Sequence, residues 1–394
     1  MDDTDILISG AGIAGMILAA LLARQGRHVT ICDPAPPPQT MNEAGADLRS
    51  TAYLVPSREV LEAAGVWKHL APDATPLAGL RVMNSTGWPP EQRAMRLFSP
   101  GDLGLEAFGW NVMNWRARKI LGAALAENPW IEQIWGAGFD GMLARDDAAL
   151  VRLSNGRRLR ARLVVGADGC HSPVRQAAGI GVRTHGYGQK ALAFTVSHRE
   201  PQANISTEIY NAGGACVTVP MNDHEGRPTS SVVWMNGGRR TIELSEMADA
   251  DFNHALRLRT LSVLGDVERM TPLRPWPVIT QTANRLTAKR TVLVAEAAHV
   301  LPPIGAQGLN TSITDLARLV EATATGDPGS PRALARYGSS RMVDVHARAA
   351  AIDAFNRLCQ SDSRGIVALR SAGLKTLHDS VGLRRQLMRA GLGG

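Results

Sequence analysis

An α/β fold is what the 394-residue sequence predicts: a Rossmann-like dinucleotide-binding domain, an antiparallel sheet layer and a C-terminal helical region. Three observations carry that expectation. The chain opens on a strand, a glycine turn, a helix and a second strand. Two later strands, near 162–169 and 291–299, run into acid-bearing turns. Between them lie short apolar runs separated by Gly, Asn and Pro. The length exceeds one small domain and suits a large α/β chain or two intergrown domains. With 44% hydrophobic and 20% charged residues, the composition supports a sizeable core and excludes a disordered chain.

The first unit is the most informative. Asp5 to Ser9 reads as a short buried strand, apolar through its middle as parallel strands are. It runs into Gly10-Ala11-Gly12-Ile13-Ala14-Gly15, a G-x-G-x-x-G, and an Ala/Leu-rich helix from Ile13 to Gln25 that stops at Gly26. A second strand from His28 to Cys32 ends on Asp33, 18 residues after Gly15. Gly10 permits the tight turn, Gly12 lets a pyrophosphate approach the backbone, and Gly15 lets helix and strand pack closely. The helix N-terminus offers free N–H groups to phosphates, and Asp33 suits the ribose hydroxyls. The unit leaves FAD and NAD open. The apolar run Ile6 to Ala23 has spanning length, but Asp2, Asp3 and Asp5 precede it where a signal peptide needs positive charge. Its three spaced glycines and the strand that follows also argue against a membrane span.

Two further motifs decide the cofactor. Arg162 to Gly169 is a strand entering the turn Ala167-Asp168-Gly169. Thr291 to Val294 is a strand leading into Ala295-Glu296-Ala297-Ala298-His299, then a Pro/Gly loop from Pro302 to Asn310 and a helix beginning near Thr311. With Asp47-Leu48-Arg49-Ser50-Thr51-Ala52 (D-x-R-x-x-A) and Asn114-Trp115 to Leu121, the ordered set resembles the FAD-dependent class A aromatic monooxygenases. This is the group that includes para-hydroxybenzoate hydroxylase, and the chain is most similar to its ubiquinone-biosynthesis hydroxylases. The tail segments Phe355 to Leu358 and Leu383 to Met388 look like that subgroup too. One departure stands out: the segment whose family core is Gly-Asp reads Ala295-Glu296 here.

The resemblance implies FAD as cofactor and NADH or NADPH as electron donor, with dioxygen and an aromatic ring as substrates. The flavin carries the chemistry, so no protein nucleophile or metal is expected, and no catalytic side chain is assigned. It implies cofactor contacts from Gly10, Gly12, Gly15 and Asp33. It adds Arg49 near the ribose and pyrophosphate, and Arg118, with Arg116 as its competitor, for adenosine or phosphate. Asp168 belongs to the DG turn and Glu296 to the ribityl chain. Pro302, Gly305, Gln307, Gly308, Leu309 and Asn310 are expected in the flavin-ring cradle. His299 is read as a capping or packing residue ahead of a general base.

The runs at 192–196, 205–210, 215–219 and 230–234 read as strands of an antiparallel sheet covering the flavin. Val219, Pro220, Met221 and Trp234 are the candidates for the substrate wall. The turn Asn222 to Gly226 is a hairpin, not a metal site. The FAD-binding domain is then expected to be discontinuous, at 1–75, 105–182 and 270–330. The sheet domain takes 76–104 and 183–269, and 331–394 forms the helical tail. Pro34 to Pro38 is a stiff loop.

Four well-separated cysteines, at 32, 170, 216 and 359, suit a reduced cytoplasmic protein rather than a disulfide scaffold or thiolate zinc site. The chain carries a net charge of +7, and residues 341–394 hold nine Lys/Arg against four Asp, +5 of that excess. Nucleic-acid modules and aromatic interleaving are missing from the sequence. From Ile366 to Ala390 apolar and basic positions alternate at helical spacing. This suits a peripheral contact with the inner face of a membrane or with a biosynthetic complex, against a plain solvated face. The expected activity is therefore hydroxylation of a polyprenylated phenol in ubiquinone biosynthesis. The alternatives are a hydroxylase of a small soluble aromatic or heterocycle, and a non-catalytic flavin-binding subunit, for which Ala295-Glu296 is the support.

Overall fold

The computed structural model describes residues 1–43, 45–361 and 363–393. Asp362, one of the tail's four acids, lies outside them. The first strand is Asp2–Ser9, starting earlier than the sequence suggests, and it pairs in parallel with Val29–Asp33 and with Arg158–Gly166. Ile131–Trp135 and Thr291–Leu293 extend the parallel order at either side. The helix Ile13–Ala23 touches this sheet, helix Asn114–Ala126 and helix Gln307–Thr323, and every residue from Ala14 to Ala23 is buried. Enclosure on all sides explains why its sequence is apolar all round. Among the described residues no helix is long and apolar enough to cross a membrane.

A second, nine-stranded sheet runs in the order His299–Val300, Arg274–Ala283, Val182–His198, Arg227–Gly237, Gly214–His224, Ile205–Asn211, Gly79–Thr86 and Glu91–Phe98, with Val267–Arg269 beside Val182–His198. It is antiparallel except where Ile205–Asn211 meets Gly79–Thr86. The Asn222 to Gly226 hairpin turns at Glu225 and Gly226, both at positive φ. Arg274–Ala283 falls in a stretch expected of the FAD-binding domain, yet it is hydrogen-bonded along Val182–His198 and belongs to this sheet. On the sheet's back, Leu192, Phe194, Val232 and Trp234 pack against Phe252 and Leu256 of helix Asp249–Arg259.

The cradle helix starts at Gln307, not near Thr311. Gly305 and Ala306 both turn the chain left-handed, at φ +61° and +55°, and the helix begins at once. Its first turn is fastened by Asn310, which donates to the carbonyls of Ala52 and Ala306 and accepts from Leu54 N–H.

The tail forms helices Pro331–Gln360, Arg364–Asp379 and Val381–Leu392. The first lies along Gln307–Thr323 and reaches the second sheet, and the second packs on the hairpin strands Gly79–Thr86 and Glu91–Phe98. Polar latches fix it: Arg96 pairs with Asp379, Arg384 with Asp102, and Asn84 donates to Val367 O and Ser371 Oγ. The tail is therefore a strap from the nucleotide-binding sheet to the far edge of the second sheet.

Candidate active site

One cavity of about 1540 Å³ runs between the two sheets, from the Gly10–Gly12 turn to the tail helices. A single ligand pocket is typically about 300–1,000 Å³, so this one has room for a cofactor and a second molecule.

At its first end the glycines meet hard geometric limits. A Cβ at Gly10, whose φ is +103°, would stand 2.3 Å from Ala167 O, and one at Gly15 would stand 2.1 Å from Gly10 O. Gly12 differs: nothing lies within 4 Å of its Cβ position, and no side chain caps the helix that follows it. Open space beside uncapped N–H groups is the arrangement a diphosphate needs. Asp33 lines the same end. It accepts from Ala11 N–H at 2.9 Å and Ala35 N–H at 3.0 Å, and pairs with Arg118 at 3.1 Å. Arg118 also donates to the carbonyls of Ala11 and Ala35, clamping the glycine turn to the second strand. Its competitor Arg116 turns away to Asp73, off the cavity wall.

Asp168 sits where the DG turn meets the first strand. Its Oδ2 accepts from Ser9 Oγ and Val174 N–H, while its Oδ1 is buried without a partner among the described residues. Burial pushes this carboxyl above its ordinary value, against the pull of those hydrogen bonds. Arg49 is gripped by Asp47 at 2.7–2.8 Å, stands 3.9 Å from Glu296 and lies 5.7 Å from the Trp276 ring centre. Glu296 is half exposed and lines the cavity beside Pro302, Gly305, Gln307, Gly308 and Leu309. Asn310 does not line it, because its amide is spent fastening the helix. Ala295 has φ +53°, a conformation that favours glycine, and this accounts for the glycine usual in the resembled family.

The glycine turn, the open space at Gly12, the orphaned Asp168 oxygen and the acids at 33 and 296 together fit FAD. His299 lines the cavity but is tied down: its Nε2 lies 2.5 Å from the buried Asp315, which accepts from Arg341 Nε at 2.6 Å. That chain joins the cradle to the tail.

The far end is walled by the second sheet. Strand alternation puts Val217, Val219 and Val233 on the cavity face. The other wall candidates do not belong there. Pro220 points to the opposite face, and its carbonyl accepts from Asn111. Met221 lies beyond the cavity edge, where the strand bulges before His224. Trp234 is buried on the sheet's back, 6.0 Å from Phe252. The wall instead includes residues the sequence reading passed over: Glu208 and Tyr210 on strand Ile205–Asn211, Trp276, and Phe355, Cys359, Arg370 and Leu374 from the tail. The signal for Glu208 was present, an acid at a buried position of the alternating run ISTEIYN. The tail residues carry no local signal. Among the described residues no group of His, Cys, Asp and Glu is placed to hold a metal, and all four cysteines are unpaired.

A family model described as FAD binding domain matches residues 3–353. The ubiquinone hydroxylase UbiL of Rhodospirillum rubrum is 32% identical over 394 residues, covering 99% of this chain and 89% of the relative. The 3-demethoxyubiquinol 3-hydroxylase of Escherichia coli is 28% identical over 397 residues, covering 99% and 98%. Among solved structures, p-nitrophenol 4-monooxygenase PnpA from Pseudomonas putida superposes with a TM-score of 0.81 at 18% identity, covering 100% of this chain and 99% of that one, which shows a shared fold.

Proposed function

We propose, from the premise that this chain belongs to the FAD binding domain family, that it is an FAD-dependent monooxygenase. It uses NADH or NADPH and dioxygen to hydroxylate an aromatic ring, and its substrate is a polyprenylated phenol of ubiquinone biosynthesis. The observation that carries the reading is the single cavity joining the nucleotide turn to an apolar sheet face under the tail helices. The two relatives named as ubiquinone-pathway hydroxylases, aligned over nearly the whole chain, support the substrate class.

FAD, when bound, supplies the redox chemistry: it takes electrons from the nicotinamide and activates dioxygen for transfer of one oxygen atom to the ring. The protein supplies position and environment. The free N–H groups after Gly12 hold the diphosphate, Asp33 the ribose, and Glu296 the ribityl chain. Arg49, between Asp47, Glu296 and Trp276, adds a positive charge at the middle of the cofactor. The N-terminus of helix Gln307–Thr323 favours negative charge on the reduced ring. Val82, Val217, Val219 and Val233 form a dry wall for the aromatic substrate.

A peripheral membrane contact fits the outer side of the same end. Leu369, Leu377, Val381, Leu383 and Leu387 are exposed on the last two helices, interspersed with exposed Lys375, Arg385 and Arg389. Leu369, Leu377 and Leu387 also rim the cavity, so a chain held in a bilayer has an apolar way in.

The test is direct. Purified protein should be yellow, and a prenylated phenol should accelerate its NAD(P)H oxidation with release of a hydroxylated product. A deletion strain should accumulate a quinone precursor lacking one hydroxyl. Colourless protein that takes up no FAD would end the enzyme reading, whereas stimulation by small aromatic acids alone would move the substrate to that class. Vesicles with anionic lipid should retain the full chain, and a Leu377→Glu, Leu383→Glu variant should leave them with FAD still bound.

A further inference from the structure

Strand Ile205–Asn211 alternates strictly, so Ser206, Glu208 and Tyr210 share one face, and all three line the cavity. Glu208 is opposite Val217 in the antiparallel pair and opposite Val82 in the parallel one, and Val233 follows in the same row. An acid thus sits at the centre of a valine wall, with 9% of its surface accessible. Burying a carboxylate among apolar side chains is costly unless it is paired or hydrogen-bonded. Among the described residues Glu208 has one side-chain partner, the hydroxyl of Tyr210 two residues on, and no cation pairs with it. A purely structural position would not retain an acid there, since a valine or leucine would complete the wall.

The surroundings give the acid a ligand to meet. Ile304 of the cradle packs in one apolar cluster with Tyr210, Ala215, Val278 and Cys359, so the Glu208 face looks across the cavity at the flavin loop. Phe355 stands edge-on to Tyr210 at 5.5 Å. From helix Arg364–Asp379, Arg370 reaches in. Its Nη1 donates to the carbonyls of Leu358, Cys359 and Ser361, while its Nε and Nη2 are buried without a partner among the described residues. A buried acceptor in a largely apolar chamber suits an aromatic ring carrying a hydroxyl.

We propose that Glu208 is a catalytic residue: it accepts a hydrogen bond from the ring hydroxyl of the substrate and takes its proton. This rests on the hydroxylase reading above and deepens it. In the step, the phenol O–H bond breaks, its electron pair stays on oxygen as phenolate, and the proton resides on the Glu208 carboxylate. The phenolate enriches the ring carbons ortho and para to that oxygen, where an electrophilic oxygen atom is accepted. Tyr210 donates to the carboxylate and holds it in place, and Arg370 lines the same cavity. Burial pushes the Glu208 carboxyl above its ordinary value, which suits it to hold a proton taken from a phenol.

The experiment uses the FAD-loaded full chain, a 2-prenylphenol and the methyl ether of the same compound, with binding read from the flavin absorption spectrum. Wild type should prefer the phenol on the order of tenfold or more, since a buried acceptor left unpaired penalises the ether. Glu208→Met should erase that preference with FAD content unchanged. Glu208→Gln still accepts a hydrogen bond but not a proton, so it should leave KM near wild type and lower kcat by about 10²-fold or more. A Glu208→Met protein that still prefers the phenol, or a Glu208→Gln protein that turns over at the wild-type rate, overturns the proposal. The second measurement decides alone if the first variant does not fold. Wild type that holds FAD yet binds neither compound would instead refute the underlying substrate reading.

Discussion

The two ends of the cavity are built by different means. At the nucleotide end, backbone does most of the work. Gly10, Gly12 and Gly15 set distances, a helix terminus presents N–H groups, and the acids at 33 and 168 close strands that run alongside the glycine turn. At the substrate end, side chains do it. Glu208, Val217 and Val233 meet across three neighbouring strands, while Arg370 and Phe355 arrive on tail helices more than a hundred residues later. The first end is specified by steric limits in short stretches of chain, and the second by sheet register and helix docking. A local change should therefore damage the first end locally, whereas the second should separate residue by residue according to which face of the sheet each occupies.

The sharpest separation is between Val217 and Trp234. Both lie on the paired strands of the second sheet, but Trp234 faces its back, against Phe252, which also meets Phe194. Trp234→Ala should cost about 3–5 kcal/mol of stability, read as a large drop in the denaturation midpoint. Its preference between substrate analogues should stay at the wild-type value when measured below the melting range. Val217→Ala should show the reverse, with a smaller stability loss and a changed preference. A Trp234→Ala protein that stays folded with altered preference would show that the two faces are coupled.

Next in size is Gly15→Ala. Its added methyl meets the Gly10 carbonyl at 2.1 Å, and backbone on both sides gives it no way to yield. Helix and strand must separate, at a cost of about 3 kcal/mol, and FAD should be lost on gel filtration. Gly12→Ala, which meets nothing within 4 Å in the protein itself, should leave the melting point of the FAD-free protein nearly unchanged while weakening FAD. If the two variants behave alike, the assignment of Gly12 to the ligand and Gly15 to packing fails.

The same contrast explains what was readable in the sequence. The first βαβ unit, the DG turn and the cradle segment were legible because each is a short stretch of chain built around turns that few residue types permit. The strands of the second sheet were legible as strands. Their facing was not fully so: Val219 lines the cavity and Pro220 does not, which follows from a period of two once one residue is anchored. Trp234 was misplaced because an apolar residue carries no sign of which face it occupies. The basic tail was the least legible part. Its charges suggested an outward-facing surface, yet Arg384 is spent as a latch on Asp102 and Arg370 turns into the cavity. Charge along a helix reports composition, and only docking decides which charges meet solvent.

The smallest expected effect tests where the two ends meet. Ala295 follows strand Thr291–Leu293 in a left-handed conformation, lines the cavity and precedes Glu296, which stands 3.9 Å from Arg49. A left-handed non-glycine residue costs about 1–2 kcal/mol, and glycine's greater freedom in the unfolded chain takes back about 0.5–1 kcal/mol of what Ala295→Gly would relieve. The net gain should be on the order of 0.5 kcal/mol, a rise in melting temperature of about one degree in a chain of this length. The removed methyl also clears a cavity-facing position, so FAD should bind more tightly while the phenol-to-ether preference at Glu208 stays unchanged. Tighter FAD with an unchanged preference would show the two ends as separable devices in one cavity. A lower melting temperature with weaker FAD would mean that the methyl packs against the cofactor and is part of its site.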